Sequence, residues 1–296
     1  MRGDAWPPHC RAALVAAVAA AARQFPRPGE EAPKRIHDVR RTLKQARAIA
    51  RLFLKCVGEP ARVTIAALAV TRRRVGRARD LDVMTLRLER LAPPSEIAKP
   101  LAAAITRERL ATGRAHAGLA ASGTRARLNA IVKRLEAWDL DTIGSEEIVA
   151  AGARTYRQAR RRGRLAFDGE DPAELHALRS RVVDLRYQLA ALAPAWPAAL
   201  NAQGEELNAL RDTLGAFNDL AMLAKFAAAR GGLSPEAQAD LAARLEAKQK
   251  KLKRRAKREF DRLFAERPRA FADRLGAYLK RPMEKPATAA EVLSTA

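Results

Sequence analysis

His37, Arg40, Lys44, Arg47 and Arg51 follow one another at steps of three or four residues, and His176, Arg179 and Arg186 repeat three of those positions 139 residues later. A guanidinium offers a planar fork of N–H donors that matches paired oxygens, an ammonium adds a point charge, and an imidazole takes up a proton beside an anion. At 100° per residue, with His37 at zero, the first five fall within an arc of about 80°. Ile36, Val39, Leu43, Ala46, Ala50 and Phe53 occupy the adjacent arc of about 160° to 260°. The basic row therefore flanks the core-facing stripe instead of opposing it. A merely solvated row would sit on the far side with acidic partners four residues on, and this one has none. The chemistry it suits is the binding of an extended anion.

The register of 139 residues holds well beyond these positions. Arg72 recurs as Arg211, Leu68 as Leu207, Gly76 as Gly215, and Asp80-Leu81 as Asp219-Leu220, without a gap. Chance aligns arginines in an arginine-rich chain but does not keep two His, two Gly and two Asp in step, so the segment is an internal duplication. The period exceeds those of stacked repeat arrays and points to two similar halves that pair, with their basic rows facing one another. A second basic cluster, Arg72, Arg73, Arg74, Arg77 and Arg79, precedes Asp80. The two repeated glycines allow close helix approach, and Asp80 and Asp219 are expected to orient a neighbouring Arg or His. In the second half Val183 replaces Lys44 and Asp184 follows it, which predicts weaker anion binding there unless Arg181 reaches in. Two further basic runs are Arg154 to Arg164 and Lys248 to Arg258. In the latter, Lys250, Lys253, Arg254 and Lys257 share a helix face.

Charge fits this reading. The chain carries 56 Lys and Arg against 33 Asp and Glu, a formal net charge of +23, while 48% hydrophobic residues exclude a disordered basic tail. Arginine outnumbers lysine 43 to 13, favouring forked contacts over point charges. The two cysteines, Cys10 and Cys56, have no metal-like spacing and are expected to stay reduced, in keeping with a cytosolic protein. The apolar run from Leu14 to Ala22 is too short to span a bilayer, and neither a signal peptide nor a membrane segment is expected.

These residues need helices to position them. Nearly every segment between Pro and Gly breaks has helical periodicity, so the protein is expected to be all-α. Helices are expected over 9–24, 34–56, 60–91, 96–121, 123–138, 145–167, 171–193, 203–231, 234–266 and 268–280. Ser95, Asp171 and Ser234 stand as N-caps. The offset divides the chain into helical-bundle halves at 1–143 and 144–282, each of about four helices, with a loose tail at 283–296.

The segment His37-Asp38-Val39-Arg40-Arg41-Thr42-Leu43-Lys44-Gln45-Ala46-Arg47, followed by Arg77-Ala78-Arg79-Asp80-Leu81-Asp82-Val83, resembles the CHAD family, the histidine-bearing α-helical domain. His176 to Arg179, Leu185 to Tyr187 and Leu214 to Asp219 echo it in the second half, so the resemblance covers nearly the whole chain. It implies two four-helix bundles about a pseudo-two-fold, with a basic groove or pore that binds inorganic polyphosphate, and association with polyphosphate granules. By position, the implied ligands are His37, Arg40, Lys44, Arg47, Arg51, His176, Arg179 and Arg186, joined by Arg72, Arg73, Arg77, Arg79 and Arg211. Val183 and Asp184 depart from the family's basic pattern. The family is often fused to a triphosphate tunnel domain, but the E-x-E-x-K signature of that domain does not occur, so a stand-alone version is expected.

Three function classes follow. The first is non-catalytic polyphosphate binding, with no cofactor and no metal. The second is nucleic-acid binding, disfavoured by an aromatic content of 5% and by the lack of helix-turn-helix or zinc-finger spacing. The third, an enzyme acting on the phosphate chain, lacks Walker spacing, H-E-x-x-H and any acidic cluster suited to two metals.

Overall fold

The computed structural model describes residues 4–25, 33–74, 77–117, 123–169 and 172–283; beside some gaps, at 33, 34, 36, 74, 77–80, 82, 112–117 and 172, it describes the backbone alone. Among the described residues the chain is all-helical, with eleven α-helices and no strand. These are α1 (Trp6–Gln24), α2 (Pro33–Ala50), α3 (Glu59–Arg74), α4 (Arg77–Leu91), α5 (Ser95–Ala117), α6 (Thr124–Glu136), α7 (Ser145–Asp168), α8 (Pro172–Leu192), α9 (Pro197–Arg230), α10 (Pro235–Leu263) and α11 (Pro268–Leu279).

Local chemistry explains most boundaries. Proline stands in the first turn of α1, α9, α10 and α11, where its missing N–H costs nothing. This is why α1 starts at Trp6 and α9 at Pro197, both ahead of the positions that apolar periodicity marks. Ser234 caps α10 by accepting from the Ala237 N–H at 3.2 Å. Ser95 is already the first residue of α5 rather than its cap, Asp171 lies outside the described residues, and so does the tail beyond residue 283. The helix expected over 34–56 ends at Ala50 and tightens into a 3-10 turn at Arg51–Phe53. The one expected over 60–91 is described as α3 and α4, with residues 75 and 76 outside the described ones, whereas α9 is continuous through the repeat-related stretch.

The repeat is visible in these bounds. Trp6 and Ser145, which open α1 and α7, lie 139 apart, as do Pro33 and Pro172, which open α2 and α8, and Leu91 and Arg230, which close α4 and α9.

Two apolar clusters hold the helices together. The larger joins α1, α2, α3, α6, α7, α8 and α11 with the N-terminal part of α9 and the C-terminal end of α10. The smaller joins α4 and α5 to the C-terminal part of α9, through Leu220, Leu223 and Ala227, and to the N-terminal part of α10, through Leu241 and Leu245. Each cluster draws on helices from both sides of residue 143. At 34 residues, about 50 Å, α9 is long enough to serve both. Specific contacts set the packing: Trp6 Nε1 donates to the Leu279 carbonyl at 2.8 Å, and Tyr156 stacks on Phe271 with ring centres 4.2 Å apart. Gly163 is needed on α7, since a Cβ there would overlap the Phe260 ring of α10. Between the halves, α2 meets α8 through Ala48, Val183 and Tyr187, and Gln188 Nε2 donates to the Ala48 carbonyl at 3.0 Å. That contact brings the two basic rows side by side.

Candidate functional site

Where α2, α3, α4, α8 and α9 meet, they enclose a cavity of about 370 Å³. Its cationic lining is Arg40, Lys44 and Arg47 from α2, Arg72 from α3, Arg87 from α4, and Arg179 from α8, with His176 beside them. Side chains of both repeated rows thus face one space. Asp184, Asp212 and Asp219 also line it, but each is engaged by an arginine. Asp212 accepts from Arg211 at 2.7 Å and Asp219 from both Nε and Nη2 of Arg87 at 3.2 and 2.9 Å. Asp184 accepts from Arg51 at 3.0 Å and lies 2.9 Å from Arg181. Since Arg51, Arg181 and Arg211 are not in the lining, two of the three carboxylates neutralise charge outside it. The cavity keeps a strong positive excess.

Packing sets the character of individual groups. Arg40 is only 7% exposed, so its guanidinium is held in a restricted position beside the cavity. Burial lowers the Arg47 pKa, Asp184 opposes this, and Arg72, Arg181 and Arg73 add to the lowering by crowding like charge around it. Arg47 Nε is buried and makes no hydrogen bond among the described residues. Burial brings Arg51 down to about 10, against the pull of Asp184, so it stays cationic at neutral pH. Burial pushes the Asp184 carboxyl up, while Arg51, Arg181 and Arg47 draw it back down. Gly215 has a particular role: a Cβ there would come within 3.3 Å of Arg179 Nη2, so the missing side chain lets this guanidinium lie against α9. The expected close approach at Gly215 is therefore that of a side chain rather than of a helix. Gly76 lies outside the described residues.

Of the residues singled out by spacing, Arg40, Lys44, Arg47, Arg72, His176 and Arg179 line the cavity. His37 is exposed at the start of α2, and Arg73 is exposed on α3; neither is in the lining. Arg51 is tied to Asp184 and Arg211 to Asp212. Arg186 is 5% exposed, donates from Nε to Asn208 Oδ1 at 3.2 Å and lies 4.5 Å over the Tyr187 ring, away from the lining. The side chains of Arg77, Arg79 and Asp80 lie outside the described ones. Lys250, Lys253, Arg254 and Lys257 are not in the lining: Lys250 pairs with Glu246 at 2.7 Å, Lys257 with Asp261 at 2.8 Å, and Lys253 donates to the Gly169 carbonyl at 3.2 Å.

Arg87 is the cation that spacing missed. A signal existed, since it stands two turns beyond Asp80 on one helix face, and Asp219 was expected to orient a neighbouring arginine. Ser180 and Asn218, also in the lining, carry no such signal.

A family model for the CHAD domain matches residues 10–228, taking in every residue that lines the cavity. The chain belongs to the CHAD family. No curated protein and no solved structure matches it. The CHAD match ends inside α9, so α10 and α11 lie beyond it. CHAD domains are associated with polyphosphate binding. Among the described residues no group of three or more His, Cys, Asp or Glu is placed so that it could hold a metal ion, and no described helix is long and apolar enough to cross a membrane.

Proposed function

We propose that this CHAD protein binds inorganic polyphosphate, without acting on it chemically, in the cavity between α2, α3, α4, α8 and α9. The observation that carries the reading is the convergence of Arg40, Lys44, Arg47 and Arg72 from one half with His176 and Arg179 from the other on a single space. A linear chain of phosphates lying there replaces repulsion among the guanidiniums with forked, charge-assisted hydrogen bonds and releases its counterions. A protonated His176 would add one more donor. The two halves pair about an approximate two-fold in this reading, and polyphosphate recruits the protein to granules in the cytoplasm.

Nucleic acid is the alternative polyanion. Among the described residues no aromatic side chain lines the cavity, so bases would find no stacking platform there, and the contacts would go to phosphate.

Titration with polyphosphates of defined length at several salt concentrations tests the proposal. Affinity rises with chain length, and log K falls against log salt with a slope of roughly −4 for six cationic contacts. Single-stranded DNA at equal phosphate content fails to displace the long chain. Affinity independent of length, or efficient displacement by DNA, refutes the polyphosphate reading, and release of free phosphate by the purified protein with magnesium refutes the absence of catalysis.

A further inference from the structure

A second cleft of about 370 Å³ opens on the other side of Arg87, between α4, α9 and α10. Arg87, Arg90, Lys248, Lys251, Arg255 and Arg258 line it, and among the described residues no acidic side chain is in the lining. The face of α10 turned inward here is opposite to the one carrying Lys250, Lys253, Arg254 and Lys257. With Lys248 at zero, Lys251, Arg255 and Arg258 fall at about 300°, 340° and 280°, and the other four near 140° to 240°. On the outer face Lys250 and Lys257 are damped by acids one turn away, Glu246 and Asp261, whereas on the inner face, among the described residues, it is Arg255 that has such a partner, Glu259 at 2.7 Å. Leu220 and Leu252 form part of the floor, against which the long basic stems can lie while their heads point outward.

The two cavities share Arg87 and Ala216, so they adjoin. Asp219 holds the Arg87 guanidinium at the junction through two hydrogen bonds, which places one fork where both compartments can use it. From Lys248 to Arg258 the basic face of α10 runs about 15 Å.

We infer that this cleft is an extension site, in which a polyphosphate chain seated in the central cavity continues past Arg87 and lies along α10. The inference rests on the proposed polyphosphate reading and adds to it a structural source of chain-length selectivity, from a helix beyond the stretch that defines the family. A short oligophosphate fills the central cavity alone. A long chain engages both compartments and gains the additional cations.

The test uses the full chain and two ligands, tripolyphosphate and a long-chain polyphosphate. Lys251→Glu combined with Arg258→Glu alters two exposed side chains of the cleft. The double variant is expected to bind the long chain roughly tenfold more weakly, with a salt slope shallower by about 1.4, and tripolyphosphate within about twofold of the parent. Arg157→Glu with Arg161→Glu, the same charge change on exposed positions of α7, is expected to leave both affinities within about twofold at physiological salt. If the parent binds the long chain and the α10 variant binds it equally well, the extension site is refuted while the central site stands. Equal losses for both ligands, or equal losses in the α7 variant, refute it as well, because the effect is then one of overall charge. A parent that binds neither ligand overturns this inference together with the reading beneath it.

Discussion

On α2, Arg40, Lys44 and Arg47 reach the cavity in succession; on α8, only Arg179 of the three equivalent residues does so as a cation. Val183 lines the cavity where Lys44 has its counterpart, and Arg186 is buried against Tyr187 and Asn208. The third helix pair repeats the asymmetry, with Arg72 in the lining and Arg211 bound to Asp212 outside it. The difference follows from enclosure. Residues 182–189 of α8 are all buried, because α2, α7 and α9 pack around that helix. A cation in that stretch must find a fixed protein partner, as Arg186 does, or give way to an apolar or compensating residue, as at Val183 and Asp184. A duplicated pattern thus preserves helix and face, while the number of neighbours decides which copy can serve a ligand.

Removing the compensation should have the largest effect. Asp184, 2% exposed, is the acid around which Arg51, Arg181 and Arg47 are arranged. Asp184→Ala leaves three cations facing one another and is expected to cost about 3 kcal/mol of stability in urea denaturation. Saturating polyphosphate should narrow that gap by binding the released guanidiniums. A loss that polyphosphate leaves unchanged would mean that Arg51 and Arg181 stay out of the ligand's reach.

Next in size is the contrast between the α2 and α8 rows. Arg40→Ala with Arg47→Ala is expected to weaken polyphosphate binding about 100-fold, two charge-assisted contacts at roughly 1.4 kcal/mol each. Arg186→Ala should cost stability through its lost hydrogen bond and ring contact and change affinity less than threefold. Equal affinity losses in the two variants would break the comparison.

Ligand binding also feeds back on the fold. A polyanion that binds the native state alone raises the melting temperature, with about 2.7 kcal/mol of stabilisation at a hundred times its Kd. An unchanged Tm at saturating polyphosphate would count against the cavity. The smallest effect is expected at Val183→Lys, which restores on α8 the charge that α2 has in Lys44: affinity rises a few-fold, partly offset by the cost of removing Val183 from its contact with Ala48 and Tyr187. A weakened affinity with the fold intact would show that this side of the cavity has no room for another cation.

Much of this was legible in the chain. Helical periodicity and the Ser234 cap are local effects, so they read directly from residue order, whereas the first-turn prolines of α1 and α9 start those helices ahead of the positions that apolar periodicity marks. The 139-residue register was equally legible, because residue identity survives duplication even where role does not. Less legible was the fate of each basic residue. Arg40 and Arg186 look alike as members of a row, and the Lys250 face of α10 looks like a better anion surface than the Lys248 face. The i+4 acids that damp the former are visible in the sequence; the packing of α4 and α9 against the latter is not.

Residue types and spacing alone determined an all-helical protein with paired basic rows flanking its core stripes, since each of these depends on neighbours within a few turns or on a direct match of residues. Only tertiary structure decided that the rows meet at one cavity, that Arg87 joins it and that Arg51, Arg186 and Arg211 do not. Those outcomes depend on which helices crowd a given face and which carboxylate arrives from a distant one, as Asp219 does for Arg87 from 132 residues away.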